Sequence, residues 1–177
     1  MEIKLHIRNI FSTLVGPLWC RFVQQSRTIT TTMVSMKHVL MKKIICISCV
    51  KSKRNHRSKA AELYTSTLYT KALHYAESLK PDRILILSAE YGVLELDDEV
   101  DPYEKTLNNM RVTERKQWAQ RVLTQLRTKV NLEVDEFIFL AGEKYREYLI
   151  PHIKRYTVPM YGLSIGKQLS WLTEHSG

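Results

Sequence analysis

Two carboxylates, Asp101 and Glu104, stand in one segment with Tyr103, Lys105 and Thr106. A carboxylate held in an ordered loop beside a tyrosine and basic residues can position or deprotonate a water. It can also stabilise positive charge on a sugar ring as a glycosidic bond loosens. The competing reading is an acidic loop facing water, and Asp97, Asp98 and Glu99 fit that reading better. Tyr91, Tyr103 and Tyr145 carry rings that can stack on a nucleobase, or they are packing residues whose hydroxyls find partners. Cys49 is either a small apolar residue ending a strand or a nucleophile, which would want a partner base. Lys51, Lys53, Arg54, Arg57 and Lys59 form a basic run suited to backbone phosphates; a solvated loop is the alternative. The run is not a P-loop, because the glycines of GxxxxGK[ST] are absent.

These residues need a scaffold, and the hydrophobic pattern supplies one. Ile44–Cys49, Ile84–Leu87, Phe137–Ala141 and Tyr156–Met160 read as strands. Continuous apolar runs of this length fit strands covered on both faces, as in parallel sheets. Helical stripes lie between them. Leu68, Ala72, Leu73, Ala76 and Leu79 form one, which ends at Pro81. Trp118, Val122, Leu123 and Leu126 form another, after Thr113 as N-cap. Tyr145, Tyr148 and Leu149 suggest a short helix, and Ser164 a cap for a last one holding Leu169 and Leu172. Strands alternating with helices predict an α/β domain: an open, mostly parallel four-stranded sheet flanked by helices.

In such sheets ligands bind beyond the carboxyl ends of the strands, and each polar motif follows a strand. Ser48-Cys49-Val50-Lys51-Ser52-Lys53 follows the first. Ser88-Ala89-Glu90-Tyr91-Gly92 and Asp101–Leu107 follow the second, Ala141-Gly142-Glu143-Lys144-Tyr145 the third, and Tyr161–Gln168 the fourth. The 23 residues from Ala89 to Arg111 are long for a connection, since loops beyond ~12–15 residues are usually functional or disordered. Tyr91, Leu94, Leu96 and Leu107 within them point to order.

Composition bounds the function class. The chain has 177 residues, 44% hydrophobic and 25% charged, which is globular usage. No apolar run approaches the ~18 residues of a membrane span. Three cysteines without zinc-finger spacing suggest neither a disulfide scaffold nor a structural zinc. The net charge of +9 favours a polyanionic partner such as nucleic acid. Residues 1–40 hold five basic residues against one acid and carry the run Thr28-Ile29-Thr30-Thr31-Thr32. They read as a dispensable extension, transit-like or upstream of the true start; a docked segment and a DNA-contacting arm are the other readings. Residues 41–177 then form the α/β catalytic domain.

The set Ser48-Cys49-x-Lys51-Ser52-Lys53, Glu62-Leu63-Tyr64, Leu87-Ser88-Ala89-x-Tyr91-Gly92, Pro102-Tyr103-x-x-Thr106-Leu107, Ala141-Gly142-x-x-Tyr145 and Gly162-x-x-Ile165-Gly166-x-Gln168-Leu169 resembles a family of small prokaryotic domains, most of unknown function. That family is distantly similar to the uracil-DNA glycosylase superfamily. The resemblance implies a compact α/β fold with a base pocket at the strand ends. It also implies, as in some relatives of that kind, excision of modified bases from phage DNA in anti-phage defence. Uracil-DNA glycosylases carry a GQDPYH-like motif after the first strand, whereas the Asp-Pro-Tyr here, at 101–103, follows the second.

The resulting expectation is a cytoplasmic, monomeric DNA glycosylase that flips a modified base from duplex DNA, a glucosylated hydroxymethyl-cytosine type among the candidates, and leaves an abasic site. Asp101 or Glu104 would align water and stabilise the sugar cation. Tyr91, Tyr103 or Tyr145 would stack on the base. Ser48, Cys49, Ser52, Gly92, Gly142 and Gln168 would line its pocket, and Lys51, Lys53, Arg54, Arg57 and Lys59 would hold phosphates. No metal or organic cofactor is required. A lyase step would need a Schiff-base lysine, Lys51 or Lys53. The rivals are a nucleotide- or nucleoside-processing enzyme and a non-catalytic nucleic-acid-binding module.

Overall fold

A computed structural model describes residues 40–176; the expected extension lies almost wholly outside these residues. In chain order the elements are β1 (Lys43–Ser48), β2 (Ser58–Lys59), α1 (Ala60–Leu63), α2 (Thr67–Ser78), β3 (Arg83–Ser88), β4 (Gly92–Glu95), β5 (Glu99–Val100), α3 (Val112–Lys129), β6 (Glu136–Leu140), α4 (Glu143–Arg146), β7 (Arg155–Thr157) and α5 (Ile165–His175), with 3-10 turns at Leu107–Asn109 and Ile150–His152. The main sheet has five strands in the order β4-β3-β1-β6-β7. β3, β1, β6 and β7 are parallel, and β4 runs antiparallel beside β3.

β1 is the central strand, and its Ile44, Ile45, Cys46 and Ile47 are all buried. That explains the unbroken apolar run: helices cover both faces, so neither face can be polar. The sheet is anchored at its amino end by Asp135, which is buried and accepts from the Lys42 N–H at 3.0 Å and the Asn131 N–H at 2.7 Å. These bonds join the start of β1 to the turn entering β6. At the carboxyl end, the pairs Ser48↔Leu87 and Ile47↔Leu140 bring the tips of β1, β3 and β6 level.

The chain leaves β1 toward β3 on one side and leaves β6 toward β7 on the other. Adjacent strands whose connections depart in opposite directions open a crevice between their carboxyl ends. Here that crevice lies between β1 and β6. The parallel crossover from β1 to β3 runs through α2, and that from β3 to β6 runs the other way through α3. A shared right-handed sense then places these helices on opposite faces. α2 starts where the Ser66 hydroxyl accepts from the Tyr69 N–H at 3.2 Å. It buries Tyr69, Ala72 and Ala76 and packs against α5, with Tyr75 edge-on to Trp171 at 5.0 Å. α3 buries Trp118, Ala119, Val122, Leu123 and Leu126.

The α/β class and the mostly parallel sheet agree with the sequence reading. Four details are corrected. The sheet has five strands, because the segment after β3 folds back as β4 and hides its pairing in a short, acid-flanked run. The long connection also contains β5, which pairs with β2 outside the main sheet. The last strand is only Arg155–Thr157 and is exposed, as an edge permits. α3 is capped at Arg111 and not at Thr113; the Glu114 carboxylate reaches back to accept from the Arg111 N–H at 2.6 Å. Among the described residues no helix is long and apolar enough to cross a membrane.

Candidate active site

The β1/β6 crevice is a cleft of ≈ 1140 Å³. Five chain segments line it, with Leu68, Tyr69 and Ala72 of α2 among them. From β1 and the residues after it come Ser48, Cys49, Lys51 and Lys53; from the loop before the first 3-10 turn come Glu104, Lys105 and Thr106. From the end of β6 and α4 come Gly142, Glu143, Lys144, Tyr145 and Arg146, and from the segment after β7 come Gly162, Ser164 and Gln168. Ile47, Leu68, Phe139 and Met160 give it an apolar floor.

Cys49 continues the sheet beyond β1, its N–H donating to Leu87 O at 3.0 Å. Its side chain is buried, and Sγ lies 3.1 Å from the Tyr145 hydroxyl. Tyr145 is held on its other side by Trp118, edge-on at 5.7 Å, whose indole N–H donates to Ser88 O at 2.9 Å. Burial, then the neighbouring Cys49 sulfur, pushes the Tyr145 phenol up, so it stays a protonated donor. Cys46, three residues back on β1, is a core residue: complete burial pushes its thiol up to about 12.

Lys53 is fixed by its backbone. It forms an isolated bridge with Tyr64, flanked by Arg54 N–H to Leu63 O at 2.8 Å and Thr65 N–H to Ser52 O at 3.1 Å. Its ammonium lies 4.3 Å from the Tyr103 ring centroid and 5.8 Å from that of Tyr64, and donates to Lys51 O at 3.3 Å. Partial burial lowers its pKa; Cys49 and Glu104 oppose that shift. Beneath it, Ser88 Oγ accepts from the Glu90 and Tyr91 N–H groups at 3.3 and 3.1 Å and donates to Tyr103 Oη at 2.8 Å, which meets Tyr64 Oη at 2.9 Å. Burial raises both phenols, Tyr64 to about 12. The platform under Lys53 is therefore neutral and hydrogen-bonded throughout.

The structure brings Ser48, Cys49, Lys51, Lys53, Glu104, Gly142, Tyr145 and Gln168 to one cleft. Gln168 Nε2 donates to Leu163 O at 2.8 Å, which leaves its carbonyl oxygen for a ligand. Other candidates lie elsewhere. Asp101 is exposed, and its carboxylate pairs with Arg57 at 3.6 Å outside the cleft. Tyr91 and Tyr103 pack edge-on to each other at 5.5 Å below the cleft instead of stacking in it. Ser52 is exposed and off the cleft. Gly92 has φ +83° and sits where an added Cβ would come 2.1 Å from Gln125 Oε1, so its role is backbone geometry. Arg54, Arg57 and Lys59 face acids of their own: Glu62 at 3.0 Å, Glu99 at 3.3 Å and Asp97 at 2.8 Å.

The sequence reading missed Glu143, a second carboxylate on the cleft wall, with Lys144 and Arg146 beside it. Glu143 lies inside the Ala141–Tyr145 motif, but nothing in its spacing separates it from an ordinary surface acid. It also missed Tyr161, an exposed ring with the guanidinium of the cleft residue Arg146 5.3 Å from its centroid.

Residues 44–174 match a family described as a family of unknown function (DUF6884). The chain belongs to that family. No curated protein and no solved structure matches it. The DUF6884 match runs from β1 into α5 and so includes every residue that lines the cleft.

Proposed function

We propose that this chain is a DNA glycosylase of the uracil-DNA-glycosylase type that excises a modified base, in defence against phage, and leaves an abasic site. The observation that carries the reading is the cleft at the β1/β6 switch point, with Glu104 on one wall and the Tyr145 phenol and Gln168 amide on others. Its ≈ 1140 Å³ exceeds the ~300–1,000 Å³ usual for compact ligands, room for a base carrying a bulky substituent. The target nucleotide enters rotated out of the duplex. Ser48, the Gly142 backbone and Gln168 hydrogen-bond its edge. Tyr145, held rigid by Trp118, forms the wall beside it. Glu104 stabilises the sugar cation and orients water, at a gain typical of positioned general bases, ~10²–10⁴-fold. Lys51, Lys144 and Arg146 at the cleft hold phosphates.

One observation favours a second reading, a nucleotide- or nucleoside-processing enzyme. Arg54, Arg57 and Lys59 are matched locally by acids, which reduces the free positive surface for a duplex. The two separate on duplex DNA bearing modified bases: the glycosylase produces alkali-labile sites. An absence of alkali-labile sites on every modified DNA, together with turnover of free nucleotides, selects the second reading.

A further inference from the structure

The cleft holds an amine that base excision alone does not use. We propose that Lys53 Nζ is a nucleophile that condenses with the open-chain aldehyde of 2-deoxyribose, which makes the protein an abasic-site lyase; this rests on the base-excision reading for its substrate. Three structural observations lead there. The amine lines the cleft while its backbone is pinned by the bridge to Tyr64. Among the described residues it makes no ion pair with a carboxylate, whereas Arg54 and Lys59 in the same run each make one and Arg57 makes two. It rests on the Tyr103 ring above the neutral Tyr64–Tyr103–Ser88 network, so no anion beneath it holds the proton. The groups facing it are Cys49 at the end of β1, Glu104 across the cleft, Tyr64, Tyr103 and the Lys51 carbonyl. Its lowered pKa fits a larger share of free amine near neutral pH than an ordinary lysine has.

The chemistry balances without an outside oxidant or reductant. The neutral amine adds its lone pair to C1′ of the ring-opened abasic sugar, and the C=O π electrons move to oxygen. Proton transfers in the cleft let that oxygen leave as water, which gives a protonated imine. Glu104 removes a proton from C2′, the electron pair forms the C2′–C3′ double bond, and the C3′–O bond breaks with its electrons going to the 3′ phosphate. Water then hydrolyses the imine, releases the unsaturated aldehyde and restores the Lys53 amine.

The test uses the full chain and duplex DNA with a preformed abasic site, so it does not depend on base release. A second arm uses free 2-deoxyribose 5-phosphate, the alternative source of the same aldehyde. Borohydride reduction is expected to trap a covalent adduct whose peptide map places the sugar on Lys53. The adduct is lost in Lys53→Met and in Lys53→Arg, which keeps a cation over Tyr103, and persists in Lys59→Ala, with circular dichroism confirming that each variant is folded. An adduct with the duplex assigns the aldehyde to DNA, and one with the sugar phosphate alone assigns it to nucleotide metabolism. The first upholds the abasic-site lyase; the second overturns the lyase while leaving Lys53 as the nucleophile. No adduct in either arm, an adduct on another residue, or undiminished trapping in both Lys53 variants overturns both. Base release from modified DNA, measured separately by mass spectrometry, fails only if the base-excision reading itself fails.

Discussion

Gly92 is where the structure reassigns a residue from ligand binding to architecture, and a double-mutant cycle with Gln125 tests that quantitatively. Gln125 on α3 accepts from the Val93 N–H at 2.8 Å and donates to Tyr91 O at 3.1 Å, and so docks the helix onto the start of β4. Gly92 lies between these two bonds at φ +83°, and a Cβ there would meet Gln125 Oε1 at 2.1 Å. Gly92→Ala therefore carries a backbone cost of about 1–2 kcal/mol and expels the amide. Loss of two part-buried hydrogen bonds costs about 2 kcal/mol more at ~1 kcal/mol each. The single variant should lose about 3–4 kcal/mol. Gln125→Ala alone should lose about 2 kcal/mol. The double variant should lose no more than Gly92→Ala, because the same two bonds are removed once. The coupling is then about 2 kcal/mol, read from urea denaturation of all four proteins. Additive losses, or a Gly92→Ala loss below about 1 kcal/mol, would refute the reasoning.

Asp135→Ala strips the acceptor from the Lys42 and Asn131 N–H groups, and should cost about 3 kcal/mol in the same denaturation assay, with Asp135→Asn costing less. Ser88→Ala removes the acceptor for two N–H groups and the donor to Tyr103, for about 3 kcal/mol; a change within 0.5 kcal/mol, the size ~0.5 of a neutral surface substitution, counts against the network. Lys53 has a pKa below its ordinary 10.5 in the folded protein, chiefly through burial. The native state therefore binds fewer protons than the unfolded chain between that lowered value and 10.5, and Lys53's contribution to stability rises with pH across that window. Lys53→Met should flatten the rise, as followed by chemical denaturation across alkaline pH, and an unchanged slope would contradict the assignment.

The fold was legible where burial is complete. Ile44–Ile47 on β1 and Phe137, Phe139 and Leu140 on β6 are all buried, so these apolar runs leave one reading. β4 escaped because Gly92, Glu95 and the acids beyond it look like loop punctuation, while its pairing with β3 is a tertiary fact. Site residues were legible as a set of strand-end motifs but not one by one. Asp101 and Glu104 are three positions apart with similar local chemistry, and only the fold turns one toward Arg57 and the other into the cleft. Tyr103 and Tyr145 both looked able to stack; long-range partners, Ser88 and Tyr64 for one and Trp118 for the other, decide which lines the cleft. Lys53 stands out from its basic run only through the bridge to Tyr64 and the ring beneath it.

The central claim is that a cleft carboxylate, and not the surface acid at 101, drives cleavage of a base–sugar bond. Mass spectrometry of free base released from phage genomic DNAs bearing different modifications tests it most directly, under single-turnover conditions. The account predicts release from at least one DNA, lost by about 10²-fold or more in Glu104→Gln, with Glu143→Gln measuring the second carboxylate and Asp101→Asn remaining close to the parent rate. No released base from any DNA, or a Glu104→Gln protein as fast as the parent, contradicts it.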